Sequence, residues 1–324
     1  MKVVKLEQYG GPEVLELTEV QKPEPNEDEV IIEVKAIGVN YADTARREGQ
    51  YVVPTPLPFT PGAEIAGAVS AIGDGVTRFK PGDRIVALIE AGGYSEFVAV
   101  PEQALIPVPD SVPFEQAVAL PLQGLSAYHI LKTMGRLEAG ETVLVHAAAG
   151  GVGTLAVQLA KIFGAGTVIA TASTEEKLEL ARSLGADHLV NYTKDNWAEQ
   201  VKELTGGKGV DVALEMVGGD IFHQTLKCLA PFGRLVIFGA ASGEQAKFYP
   251  GQLMRKNQSV IGFFLPQIMR KPKLFQQSLQ ELLEWTGSGK LQLTIGGTFP
   301  LAEAAEAHRQ LQGRKTTGKI ILKP

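Results

Sequence analysis

The sequence predicts an α/β protein in which a doubly wound parallel sheet adjoins a mostly β region. Three observations carry this. From about residue 125 onward, short apolar runs alternate with amphipathic helical patterns; a glycine-rich turn joins the first of those strands to its helix; and the first 120 or so residues carry β-rich runs broken by turn residues. At 324 residues, 44% hydrophobic and 21% charged, the chain has length for about two domains and composition for a large core.

Within the β-rich start, residues 30–36 and 84–88 read as strands bounded by Gly, Pro, Asp and Asn. Between them Pro54, Pro56, Pro58 and Pro61 forbid a regular helix. Farther on, 143–147 is a compact apolar strand, and Leu155, Ala156, Leu159, Ile162 and Phe163 mark one face of the helix after it. Strands are expected at 167–171, 188–190, 211–215, 234–239 and 260–264, with helices at 175–184, 197–204 and 219–229 between them. Beyond Lys271-Pro272 the pattern gives helices at about 273–285 and 301–311 and a closing strand at 319–323.

Charge and cysteine content narrow the function. Thirty-one Lys and Arg against 36 Asp and Glu leave a net charge of −5, so no nucleic-acid partner and no anionic membrane surface is expected. The single Cys228 allows no internal disulfide and no cysteine zinc ribbon, and a reducing cytoplasm is the expected location. The most apolar window, 143–160, is split by Gly150, Gly151 and Gly153 and makes a poor membrane span. The start of the sequence lacks the apolar stretch of a signal peptide.

The segment His146-Ala147-Ala148-Ala149-Gly150-Gly151-Val152-Gly153 lies between a strand and a helix. Small residues there let the backbone approach a pyrophosphate, whose charge sits on the helix N-terminus, so Ala149, Gly150, Gly151, Val152 and Gly153 are candidate cofactor-binding positions. Ala148 stands where a full Gly-x-Gly-x-x-Gly has its first glycine. A site for NAD would end the second strand on an acid that holds the ribose hydroxyls. Here no acid occurs before Glu175, and Ser173 and Lys177 offer a hydroxyl and a cation suited to the 2′-phosphate of NADPH. The competing readings are a helix cap for Ser173 and a solvated charge for Lys177.

Gly38-Val39-Asn40-Tyr41-Ala42-Asp43, Pro61-Gly62-Ala63-Glu64-Ile65-Ala66-Gly67 and Phe79-Lys80-Pro81-Gly82-Asp83-Arg84 resemble the medium-chain dehydrogenase/reductase superfamily. Residues 147–153 and Lys315-Thr316-Thr317-Gly318-Lys319 are similar to its zeta-crystallin-like NADPH:quinone oxidoreductases. The resemblance implies a Rossmann domain, 124–269, inserted in a mostly β GroES-like catalytic domain, 1–123 plus 270–324, with the active site in the cleft between them and a homodimeric assembly. It places Asn40, Ser126, Lys177, Tyr192, Phe238, Gly239, Phe263 and Phe264 around the cofactor. Competing readings are a turn residue for Asn40, a helix cap for Ser126, a packed aromatic for Tyr192, and strand core or subunit contact for the two phenylalanines. Lys319 and Arg314 are either phosphate-facing cations or solvated charges.

Zinc enzymes of the superfamily carry a ligand Cys where this chain has Asn40 and a ligand His where it has Ala63, with Glu64 alongside, so no metal is expected. Without a Lewis acid, an isolated ketone is a poor hydride acceptor, whereas a quinone or enone yields a delocalised anion that hydrogen-bond donors stabilise. The candidate proton donors are Tyr41 and Tyr51, the latter in a segment resembling that of zinc-free 2-enoyl thioester reductases and otherwise a loop aromatic anchoring the proline-rich segment; Tyr51 is carried forward, with Asn40, as the catalytic pair. The resulting expectation is a zinc-independent NADPH:quinone or enone reductase. An enoyl thioester reductase and a low-turnover NADPH-binding structural or sensor protein are the alternatives.

Overall fold

The computed structural model describes residues 1–244 and 246–324. Two compact units emerge, one formed by Met1–Leu122 with Leu279–Pro324 and the other by Gln123–Ser278.

The first unit opens with β1 (Lys2–Lys5) paired antiparallel to β2 (Glu16–Glu19), then β3 (Glu29–Val39), α1 (Tyr41–Arg47), β4 (Glu64–Ile72), β5 (Arg84–Leu88), β6 (Phe97–Pro101), β7 (Leu105–Pro107) and the single turn α2 (Phe114–Ala117). The proline-rich stretch between α1 and β4 carries no helix, as its composition requires. Helix α1 stands inside a region read as mostly β, yet both its ends were written in the sequence. Asn40 is the N-cap, and its backbone N–H donates to Asp43 Oδ2 at 2.8 Å. At the far end Gly49 adopts φ 70°, Gly49 N–H donates to Arg46 O and Gln50 N–H to Ala45 O, the hydrogen-bond pair of a Schellman stop.

The second unit contains α3 (Leu125–His129), β8 (Thr142–Val145), α4 (Gly151–Ile162), β9 (Thr167–Ala172), α5 (Glu175–Ser183), β10 (His188–Asn191), α6 (Trp197–Leu204), β11 (Val210–Glu215), α7 (Gly219–Cys228), β12 (Leu229–Ile237), β13 (Ser259–Gly262) and α8 (Pro266–Met269). Its six strands pair in parallel in the order β10-β9-β8-β11-β12-β13, so chain order reverses between β8 and β11, the switch point of a Rossmann sheet. Helices on both faces explain why all six residues of β11 are buried rather than alternating. Leu144, Ile169, Trp197, Ala213, Phe222 and Leu235 belong to its core. Strand β12 begins at Leu229, ahead of the expected 234. Its pairing to β11 is interrupted between Leu229 and Arg234, where Phe232 sits at φ 64° and is 68% exposed, so regular register begins at Arg234.

The chain continues through α9 (Pro272–Gly287) to β14 (Ile295–Pro300), α10 (Ala304–Gln312) and β15 (Lys319–Lys323). The expected helix at 301–311 is divided: Leu301–Glu303 form a 3-10 turn and α10 follows. Strands β14 and β15 join the first unit's sheet in the order β14-β15-β3-β4-β5-β7, with β6 also on β3. Strand β3 meets β6 over Glu29–Glu33 and β15 over Ile37–Val39, and Ile32, Ile37, Ile65, Ile85, Leu105 and Leu322 fill the core it crosses.

Candidate functional site

In the second unit, the glycine loop follows β8 at the carboxyl edge of the sheet. Ala147 turns the chain at φ 48°, Gly150 N–H closes the turn on Ala147 O at 2.8 Å, and Ala148 N–H is held by Thr171 O at 3.0 Å. Helix α4 then starts so close to this turn that a Cβ on Gly153 would lie 2.2 Å from Ala147 O and 2.7 Å from Ala148 Cα. Only glycine fits there. The first N–H groups of α4 have no carbonyl of a preceding turn to bond, and they sit where an anion at the sheet edge would meet them. A Cβ on Gly151 would lie 2.2 Å from Gln123 Oε1, while one on Gly150 would meet only Ala147 O at 3.2 Å; with the tight turn and the N–H groups that follow it, Ala149, Gly150, Gly151, Val152 and Gly153 fit a dinucleotide phosphate.

Other candidates share this edge because each follows the end of a parallel strand. Strand β9 ends on buried Ala172, and Ser173 and Lys177 come next, both partly exposed. The cap of α5 is Thr174, whose Oγ1 accepts from Lys177 N–H at 3.3 Å, so Ser173 is not the capping residue the competing reading allowed. Tyr192 N–H bonds Ala172 O at 3.2 Å, tying the ends of β10 and β9 together, while its ring packs on the core. Phe238 and Gly239 follow β12; Phe263 and Phe264 follow β13, outside the strand itself, and line a pocket with Met134, Gly262, Gln267 and Ile268. Ser126 lies inside α3, buried, and is not a cap.

Two buried polar side chains keep this edge rigid. His146 bridges Thr171 Oγ1 at 2.9 Å and Thr225 Oγ1 at 2.8 Å, and burial lowers its pKa to about 4, so it is a neutral strut. Glu215, at the end of β11, accepts from the N–H groups of Val217 and Gly218 at 2.6 and 3.0 Å and fixes the next loop. Cys228 is buried with its thiol pushed up to about 11, a packed side chain rather than a nucleophile.

In the first unit, Asn40 anchors a cluster of buried polar groups. Its Nδ2 donates to Glu64 Oε1 at 2.8 Å, and its Oδ1 accepts from Lys319 Nζ at 2.9 Å, while Lys319 also pairs directly with Glu64. Asn40, Glu64 and Lys319 are 2%, 0% and 1% exposed, so the solvated reading for Lys319 does not survive, while Asn40 is both the partnered cap of α1 and part of this buried cluster. Arg314 remains exposed. Asp43 lies against the same cluster, and burial raises its pKa to about 6 against the pull of the backbone and Lys319. Beyond it, Arg47 Nη1 reaches His308 Nδ1 at 3.2 Å and His308 Nε2 reaches Tyr94 Oη at 2.9 Å. Guanidinium only donates, so His308 accepts at Nδ1, carries its proton on Nε2 and donates it to Tyr94, whose hydroxyl then faces Asp43 at 3.4 Å. Tyr94, His308 and Arg47 carried no signal in sequence, because β-loop, tail helix and α1 meet only in the fold.

Tyr51 follows the Schellman stop of α1, which folds it back over that helix. The guanidinium of Arg46 stacks 4.6 Å from the Tyr51 ring centre and 5.5 Å from that of Phe59. Burial raises the Tyr51 phenol pKa and Arg46 opposes the rise, so the hydroxyl holds its proton at neutral pH beside a cation that favours giving it up. Among the described residues no group of three His, Cys, Asp or Glu side chains is placed to hold a metal.

The zinc-binding dehydrogenase family matches residues 151–285, and the alcohol dehydrogenase GroES-like domain matches residues 26–110. The chain is 42% identical to a quinone oxidoreductase of Pseudomonas aeruginosa, over 100% of this chain and 99% of the relative. It is 37% identical to a 2-haloacrylate reductase of a Burkholderia species, over 97% and 96%. A crystal structure of Escherichia coli quinone oxidoreductase complexed with NADPH superposes with a TM-score of 0.95 at 36% identity, covering both chains fully.

Proposed function

The chain belongs to the zeta-crystallin-like quinone oxidoreductase family of medium-chain dehydrogenases/reductases, and from that premise we propose that it is an NADPH-dependent reductase of quinones and other activated alkenes that works without zinc. The observation that carries this reading is the glycine turn locked at the sheet's carboxyl edge by Gly153, beside a second strand that ends on Ala172 with no acid. In the second unit, backbone N–H groups of 149–153 would hold the pyrophosphate, Ser173 and Lys177 would take the 2′-phosphate, and Ser126, Tyr192, Phe238, Gly239, Phe263 and Phe264 would line the rest of the cofactor; Asn40 is the residue that the first unit would contribute.

When bound, NADPH supplies a hydride to the conjugated acceptor. The residues of the chain supply position and charge. With Asn40 and Ala63 at the ligand positions of the zinc enzymes, oxyanion stabilisation falls to hydrogen-bond donors, which suffices for a delocalised enolate or phenolate. Tyr51 gives its phenolic proton to the enolate of a reduced enone, and the Arg46 guanidinium stabilises the phenolate left behind. A reduced quinone takes its protons from water, so Tyr51 matters less there.

Two copies are proposed to associate through the second unit. Strand β13 ends the parallel sheet with an open edge, and Tyr249 and Met254, just before it, are each 78% exposed. The cytoplasm is the proposed location; among the described residues no helix is long and apolar enough to cross a membrane. The test is NADPH oxidation by chelator-treated protein with quinones, enones and enoyl thioesters. Turnover of quinones and enones supports the reading, dominant thioester turnover favours the thioester reductase, and tight NADPH binding with no turnover favours a binding protein.

A further inference from the structure

The hydrogen bonds of Asn40 have a direction that its two charged neighbours impose most strongly, with the Gly38 carbonyl 3.4 Å from Nδ2 and the Asp43 backbone N–H of the capping box acting in the same sense. A lysine ammonium has no acceptor and an ionised carboxylate has no donor. With Lys319 Nζ 2.9 Å from Oδ1 and Glu64 Oε1 2.8 Å from Nδ2, the Asn40 amide has one allowed orientation, and rotating it by half a turn would set NH2 against ammonium and carbonyl against carboxylate. Glu64 is itself fixed: its second oxygen, Oε2, accepts from Leu122 N–H at 2.9 Å, and its side chain crosses Gly38, where a Cβ would come within 2.3 Å of Oε1. Lys319 is fixed by β15, whose pairing to β3 begins one residue away with Ile320 opposite Val39, the residue before Asn40.

We infer that Glu64 and Lys319 are positioning residues, an internal ion pair that orients the Asn40 side chain for cofactor and substrate. The inference rests on the assignment of Asn40 to the reactive site made above. Sequence distance makes the arrangement hard to explain as local packing: the three residues come from a helix cap, the start of β4 and the start of β15, and a buried ion pair adds little or no net stability over an apolar pair of the same volume. An arrangement that adds little stability yet dictates one side chain's orientation fits a positioning role.

The experiment compares Asn40→Ala, Glu64→Gln, the paired change Lys319→Met with Glu64→Leu, and the triple variant that adds Asn40→Ala to that pair. Removing both charges together leaves no unpaired buried ion, so the paired variant is the one designed to fold, and Glu64→Gln, nearly isosteric, serves if it does not. The readouts are kcat and KM with a quinone acceptor, NADPH affinity, and hydrogen exchange of the Asn40 side-chain amide in cofactor-free protein. The expected result is a kcat loss of about 10- to 100-fold in Asn40→Ala and in the paired variant, several-fold in Glu64→Gln, and no further loss in the triple variant, since the pair acts through Asn40. Exchange of the Asn40 amide should accelerate at least tenfold in the paired variant. Wild-type kcat in the paired and Glu64→Gln variants, with Asn40→Ala impaired, overturns the positioning role alone. A triple variant far worse than Asn40→Ala also overturns it. Wild-type kcat and NADPH affinity in Asn40→Ala overturn the assignment of Asn40, and the positioning role with it.

Discussion

Replacing Gly153 with Ala tests how closely α4 must approach the β8 turn. The added methyl would lie 2.2 Å from Ala147 O and 2.7 Å from Ala148 Cα, both backbone atoms that no side-chain rotation can clear. Restoring ordinary contact requires the start of α4 to move by about 1 Å, and inserting a methyl into a close-packed site costs roughly 1–3 kcal/mol. Because two backbone groups are struck at once, the upper end, about 3 kcal/mol, is expected. The same displacement moves the N–H groups proposed to hold the pyrophosphate, and losing about 1.4 kcal/mol of their interaction would lower NADPH affinity tenfold. Urea unfolding and a fluorescence titration with NADPH measure the two effects. Gly150→Ala is the control, since its Cβ would meet only Ala147 O at 3.2 Å and should cost far less. A Gly153→Ala variant within about 0.5 kcal/mol of wild type, with unchanged affinity, would refute the packing argument.

Three other outcomes are expected. Lys177→Glu should weaken NADPH about ten- to a hundredfold while sparing NADH, the loss of a charge-assisted hydrogen bond; equal losses for both exclude a 2′-phosphate role. Tyr51→Phe should lower enone turnover by about 10²–10⁴ with cofactor affinity intact and quinone turnover only a few-fold; full activity on every acceptor removes Tyr51 from the mechanism. Stability should fall in mild acid. Burial lowers His129 and His146 to about 4 and His308 to about 3, so their neutral forms contribute stability above 6.5 that is lost as pH falls toward those values. Asp43 works in the opposite sense, its pKa raised from 3.8 to about 6, so its contribution is present below 3.8 and lost as pH rises through 6. Near pH 5 these four groups together take up about two protons on unfolding, a contribution of roughly 2.7 kcal/mol of lost stability per pH unit; a flat profile between pH 5 and 7 contradicts the buried-neutral assignment.

What the sequence made legible followed from periodicity and caps. The strands and helices of the second unit were readable because apolar runs and amphipathic faces alternate cleanly, and the glycine turn announced which sheet edge would face a ligand. Helix α1 was legible in principle, through Asn40-x-x-Asp43 at one end and Gly49 at the other, but the surrounding β-rich runs masked it. The irregular pairing at the start of β12 was invisible, because Pro231, Phe232 and Gly233 look like an ordinary turn. The cluster around Asn40 was half legible: Glu64 stood out beside Ala63, whereas Lys319 had to be brought from the last strand, 279 residues away, before its role as Asn40's partner appeared. Arg46 gave no signal at all, since its stack on Tyr51 depends on how the loop after α1 returns.

The central claim, hydride delivery to a conjugated acceptor without zinc, is tested most directly by following deuterium from C4-labelled NADPH into an enone, using protein treated exhaustively with chelator. The expected result is one deuterium at the β-carbon of the saturated product for each NADPH oxidised, at a rate unchanged by added zinc. NADPH bound tightly with no deuterium in the product, or transfer that appears only when zinc is restored, would contradict it.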